Sequence, residues 1–191
     1  MEELVAHLIK NYDEAEQIVA GCGETLENYF KSKGQKFSAE IFCKQFDCIL
    51  QYSMLQMAVA DGNIDQNEWL FIKEVTKHSD LVTYINTKYK TKINWDAILQ
   101  ASNDSVEKWL EVNKEYVDKL AEEFIYGFTM VDFSVDADLE DALCEATAGV
   151  MAVLGYADGN SEELEKSAAG NSLIVEVLAA ISNNLDKANN H

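Results

Sequence analysis

Ser38-Ala39-Glu40-Ile41-Phe42-Cys43-Lys44-Gln45-Phe46-Asp47-Cys48-Ile49-Leu50-Gln51-Tyr52-Ser53-Met54-Leu55-Gln56-Met57-Ala58-Val59-Ala60 is the stretch on which the fold turns. Apolar side chains surround most of its girth at helical spacing, so it reads as one long helix buried on nearly every side. Ser38 can cap it, because its hydroxyl oxygen can accept from an N–H of the first turn. The helix stops at Asp61-Gly62, and a second begins at Asp65. Asp65 and Glu68 have capping-box spacing, and Ile64 can staple back onto Trp69.

The rest of the chain follows the same grammar. Upstream, a helix is expected over Glu2 to Val19, ending near Gly21-Cys22-Gly23, then a short one from Glu24 to Lys31. A basic loop from Lys31 to Lys36 leads to Ser38. Downstream, the helix from Asp65 runs to about His78, followed by shorter ones over Asp80 to Tyr89 and Asn94 to Ala101. A long helix is predicted from Ser105 to about Val131. Its stripe is Trp109, Val112, Tyr116, Leu120, Phe124, Phe128 and Val131. Asp136 is expected to cap a helix ending at Leu154-Gly155. Ser161 to Ala168 and Ser172 to Leu185 complete an all-α chain, with polar residues at the end.

Composition narrows the function. The 191 residues carry 34 acids and 15 basic residues, all lysine, for a net charge of −19. Such a surface disfavours nucleic acid and anionic membranes, whose phosphates are recognised by clustered Lys and Arg. The longest uncharged run, Cys48 to Ala60, is too short and polar to span a bilayer, so no membrane insertion is expected. An acidic start, Met1-Glu2-Glu3, does not read as a signal peptide. Four cysteines without C-x-x-C spacing read as reduced thiols, and the expected location is cytoplasmic. The three histidines are scattered, and no nucleophile, zinc or phosphate-loop signature is present, so no enzymatic activity is expected.

The acids are clustered. Leu120 to Glu165 holds 12 of them and no Lys, Arg or His. This half presents either a solvated face, a cation site or a docking face for a basic partner.

Two turns share the pattern D-x-x-[IV]-D, namely Asp61-Gly62-Asn63-Ile64-Asp65 and Asp132-Phe133-Ser134-Val135-Asp136, 71 residues apart. Each joins two long helical stretches. A third segment, Asp158-Gly159-Asn160, repeats part of the first. None is an EF-hand: where that loop needs oxygen ligands, Met57 and Val59 precede Asp61, and Leu154 and Tyr156 precede Asp158.

Ala60-Asp61-Gly62-Asn63-Ile64-Asp65-Gln66-Asn67-Glu68, closing one apolar helix and opening another, resembles the TerB-like family of tellurite-resistance proteins. The resemblance covers roughly Ser38 to Gly155. It implies a helical bundle of two pseudo-symmetric halves, each with one such turn. In the second turn Phe133 stands where the pattern has glycine. The expected organisation is an N-terminal helical extension over 1–34 and a TerB-like domain over 35–191. That domain carries an insertion near 81–103 and a C-terminal helical extension. Family members are acidic cytoplasmic proteins linked to tellurite and other stresses. The resemblance implies no enzyme, but a divalent-cation or interaction surface. Carried over by position, the candidate metal ligands are Asp61, Asp65, Glu68, Asp132 and Asp136.

Local physics offers another explanation for most of these. Asp65 and Asp136 suit N-caps, Glu68 suits the capping-box partner, and Gly62 suits a tight turn. Only Asp61, an acid at a helix C-terminus, runs against the helix dipole. Two readings follow. In one, the chain binds a divalent cation through its paired turns. In the other, it is an acidic adaptor or inhibitor that docks a protein partner with a basic surface, its turns purely structural.

Overall fold

The structure is a computed structural model that describes residues 2–60, 64, 66–75, 87, 103–135, 138–156 and 170–189. Among these are six helices and no strand: α1 (Glu2–Ser32), α2 (Ala39–Ala58), α3 (Gln66–Val75), α4 (Asn103–Val135), α5 (Leu139–Leu154) and α6 (Leu173–Asn189). The expected helices over Asp80 to Tyr89, Asn94 to Ala101 and Ser161 to Ala168 lie outside the described residues, apart from Thr87.

As its pattern requires, α2 is the hub. It buries Phe42, Phe46, Ile49, Leu50, Met54 and Leu55 almost completely. Full burial of each such side chain is worth about 1.5–3 kcal/mol. Ser38 caps it, its hydroxyl accepting from Ile41 N–H at 3.3 Å. A chain of rings leads inward from the α1–α2 connection. Phe30 stacks on Phe37, which meets Phe42, and Phe42 stacks on Phe124 of α4 at 4.8 Å between ring centres.

Upstream of α2 the expected break near Gly21-Cys22-Gly23 does not occur, and α1 is one continuous helix of 31 residues. Two helical glycines cost about 1 kcal/mol each relative to alanine. Packing explains Gly23: a β-carbon there would lie 3.2 Å from the Ala39 Cα, so glycine lets α1 and α2 approach closely. The turn itself comes later, at Gly34, whose φ of 69° is the left-handed conformation glycine accepts without strain. Leu8, Tyr12, Ala15, Val19, Cys22 and Leu26 place α1 in the same core as α2, α4 and α5.

The long helix exists as predicted, but α4 runs to Val135 rather than Val131. Its inward stripe also differs at one position. Val112 is 64% exposed, while Asn113 and Val117 take the inward positions between Trp109 and Leu120. Asn113 tolerates burial because its amide donates to the Trp109 carbonyl at 2.8 Å. At Gly127 a β-carbon would sit 2.9 Å from the Phe42 ring and 3.1 Å from Leu26, so α1, α2 and α4 converge there.

Candidate functional site

The second acidic turn is built by the overrun of α4. Because that helix continues past Val131, Asp132 is its last-turn residue rather than the first residue of a loop. Its carboxylate accepts two backbone hydrogens, from Leu139 N–H and Glu140 N–H, each at 3.2 Å. These are first-turn donors of α5 that have no partner within that helix. Asp132 thus caps the first turn of α5. Asp138 occupies the N-cap position and makes no side-chain cap bond. Asp136 itself lies outside the described residues, as do Asp61 and Asp65.

Asp132 is only 5% exposed. Burial pushes its carboxyl above the usual aspartate range, the two amide hydrogens pull it back, and Asp138 and Asp141 push it further up. Glu140 is also raised, first by burial and then by Asp141, Asp132 and Asp186. Three other carboxylates, one each from α4, α5 and α6, thus bear on Glu140. The same charge reaches α1: the Cys22 thiol is pushed up to about 12, chiefly by burial and secondarily by Asp132.

Glu68 is in the first turn of α3, 3% exposed and engaged with neighbours. No three His, Cys, Asp or Glu side chains form a metal-holding group among the described residues. Of the five candidate ligands, the structure describes Glu68 and Asp132, and it gives both carboxylate oxygens of Asp132 to the start of α5.

Outward from this turn the surface is acidic. Glu122, Glu123, Asp138, Asp141 and Glu145 are exposed on α4 and α5. Glu123 accepts from Gln45 Nε2 at 2.6 Å, which ties the acidic face of α4 to the hub helix. No helix among the described residues is long and apolar enough to cross a membrane.

Beside the acids lies an apolar groove of about 380 Å³ between α5 and α6, with Met57 of α2 beneath it. Ala148, Met151, Tyr156, Val175 and Leu178 line it, and the Cys144 thiol lies on its edge toward Glu140. Gly155 shapes one end, since a β-carbon there would sit 2.7 Å from the Met57 methyl. The sequence reading passed over this feature. Its signal was available: from Ala146 to Tyr156 there is no charged residue, more apolar length than one buried helix face uses.

The groove depends on where α6 starts, and α2 sets that. The Leu173 N–H donates to Gln56 Oε1 and the Ile174 N–H to Ser53 Oγ, both at 2.9 Å. Ser53 in turn donates to the Ile49 carbonyl at 2.8 Å. Buried Ser53 and half-buried Gln56 of α2 thus dock the start of a helix far along the chain, 117 residues from Gln56 to Leu173. No family model, curated protein or solved structure matches this chain.

Proposed function

We propose that this chain is a non-enzymatic, cytoplasmic docking protein that binds a basic protein partner through the acidic surface of α4 and α5. One observation carries the reading: Asp132 spends both carboxylate oxygens on the first N–H groups of α5. The second acidic turn thereby has a structural occupation, and the surrounding exposed acids are left to face outward. Four free thiols suit a reducing compartment. Reversing Glu140, Asp141 and Glu145 to lysine should weaken binding of a lysine-rich peptide at least tenfold. The wild-type affinity should fall steeply as salt rises, as expected for charge-steered association. Affinity unchanged by the reversal would overturn the reading.

A second reading keeps the TerB-like resemblance in full: a two-half bundle whose paired turns hold a divalent cation. The observation in its favour is that burial and, after it, neighbouring carboxylates raise Asp132 and Glu140, and a cation would relieve that second, like-charge part. Melting temperatures in EDTA and then in Ca²⁺, Mg²⁺, Mn²⁺ or Zn²⁺, for wild type and Asp61→Ala, separate the two. A site filled at 100 times its dissociation constant adds about 2.7 kcal/mol. A cation-selective rise that disappears in Asp61→Ala favours the metal. A small rise common to all four ions and both proteins reflects screening of the −19 charge, and leaves docking.

A further inference from the structure

We infer that the groove between α5 and α6 is the seat for a basic amphipathic helix of the partner. This rests on the docking reading above and names the surface that performs it.

Three features carry the inference. The first is shape. From Cys144 to Gly155 the α5 side of the groove extends about 16 Å, or three turns of helix. Exposed Cys144, Ala148 and Ala152 recur at four-residue spacing and leave room, while Met151, Ile174 and Leu178 form the floor. A partner helix with apolar anchors one turn apart fits a trough of this length. The second is lining chemistry. Met57 and Met151 are unbranched and adapt to differing anchors, and the small residues permit close approach.

The third is charge, and it chooses the occupant. The face of α5 that lines the groove continues toward its start through Glu140 and Asp141. Asp186 of α6 also bears on Glu140, which brings negative charge from the second helix to the start of α5. Glu145 and Glu176 are exposed beside the lining residues. Among the described residues of α5 and α6 the one basic side chain is Lys187. An acidic partner would be repelled, as would a second copy of this −19 chain. The chain's own connection between the two helices, 157–169, has one large apolar side chain, Leu164, and four acids. It has too few apolar anchors for such a trough. A helix with leucine-like anchors on one face and lysines on the other satisfies both floor and rim.

The test uses the full chain and a synthetic lysine–leucine amphipathic helix of three to four turns. Its control is a glutamine–leucine peptide with the same apolar face. Affinity is read by fluorescence polarisation, and position by protection of Cys144 from iodoacetamide. Cys22 and Cys48 are buried and Cys43 is half-buried, and although burial raises the Cys144 thiol as it raises Cys43, Cys144 alone is exposed, so alkylation should report mainly Cys144. The lysine–leucine peptide should bind at low salt and slow Cys144 alkylation at least tenfold. The control should bind at least tenfold more weakly. Ala148→Glu and Ala152→Glu are exposed changes to a good helix former, and circular dichroism confirms their fold. Each adds negative charge, so attraction by charge alone would strengthen binding, whereas a blocked groove loses it at least tenfold.

Salt-sensitive binding that leaves Cys144 unprotected and tolerates Ala148→Glu overturns the groove and leaves the docking function standing. No binding of the lysine–leucine peptide at low salt overturns both. Equal binding of the control overturns the choice of a basic occupant. Protection of Cys144 by the neutral dye Nile red but not by peptide reassigns the groove to a small apolar ligand. Self-association abolished by Ala148→Glu reassigns it to a second copy.

Discussion

Tyr12 of α1 donates its hydroxyl hydrogen to Asp47 Oδ1 of α2 at 2.8 Å, and both residues are 3% exposed. Burial, then the Asp47 carboxylate, drives the phenol pKa upward, so it stays a donor at any working pH. Removing a donor to a buried carboxylate costs about 1–3 kcal/mol. Tyr12→Phe should lower stability by that amount in urea unfolding, with the fold retained. A variant as stable as wild type would show that Asp47 draws its compensation from its other contacts.

Asp132→Ala should cost about 1–2 kcal/mol, the range for losing a helix cap. The damage should be local, with faster amide hydrogen exchange at Leu139 and Glu140 than in the middle of α5. Uniform exchange along α5 would mean that the helix start is held by something other than this carboxylate.

Acidity should stabilise the fold over a defined window. Asp132 and Glu140 have folded pKa values raised above their ordinary ones, so the folded state holds their protons more tightly than the unfolded chain does. Stability therefore rises as pH falls from neutral through the raised values, until the unfolded carboxyls titrate near about 4. Exposed Glu40 and Glu115, held low by Lys44 and Lys119, act in the opposite sense, but only below their ordinary range. The urea midpoint should increase between pH 7.5 and about 5, and Asp132→Asn should flatten part of that slope. A midpoint that falls on mild acidification would contradict this account of the acidic turn.

Gly127→Ala should destabilise by about 1–3 kcal/mol, the usual cost of overpacking. The added methyl would meet the buried Phe42 ring at 2.9 Å. Gly21→Ala, which meets nothing within 4 Å, should instead stabilise slightly by raising helix propensity. Thermal melts of the two variants should move in opposite directions.

Ser53→Ala and Gln56→Ala should each cost about 1 kcal/mol by removing an acceptor from the start of α6. The double variant should release α6 from α2, visible as faster exchange at Leu173 and Ile174 and easier alkylation of Cys144. Unchanged exchange at both amides would show that packing alone places α6.

Much of the helical layout could be read from residue order. The burial of α2, the cap at Ser38, the end of α5 at Gly155 and most of the α4 stripe follow from spacing, because helix period and first-turn donors are local properties. So does the acidic character of Leu120 to Glu165. The misreadings share a cause. Gly21 and Gly23 have the composition of a break, yet α1 runs through both, with Gly23 packed closely against Ala39 of α2. The helix after the second acidic turn starts later than its spacing suggests, with Asp138 at the N-cap position, and α4 extends far enough for Asp132 to cap it. The groove was hidden because its lining is assembled from α5, α6 and Met57 of α2, which are far apart in sequence.

By itself, then, the sequence determined the helical class, the central helix and the charge of the surface, each governed by neighbours within a turn or two. Only the tertiary structure decided which acid caps α5, which side chains of α2 receive the start of α6, and where an apolar trough meets an acidic rim. Those outcomes depend on the distance between atoms separated by up to 121 residues. Local spacing carries no information about such distances. Packing sets them, through close approaches such as Gly127 against Phe42.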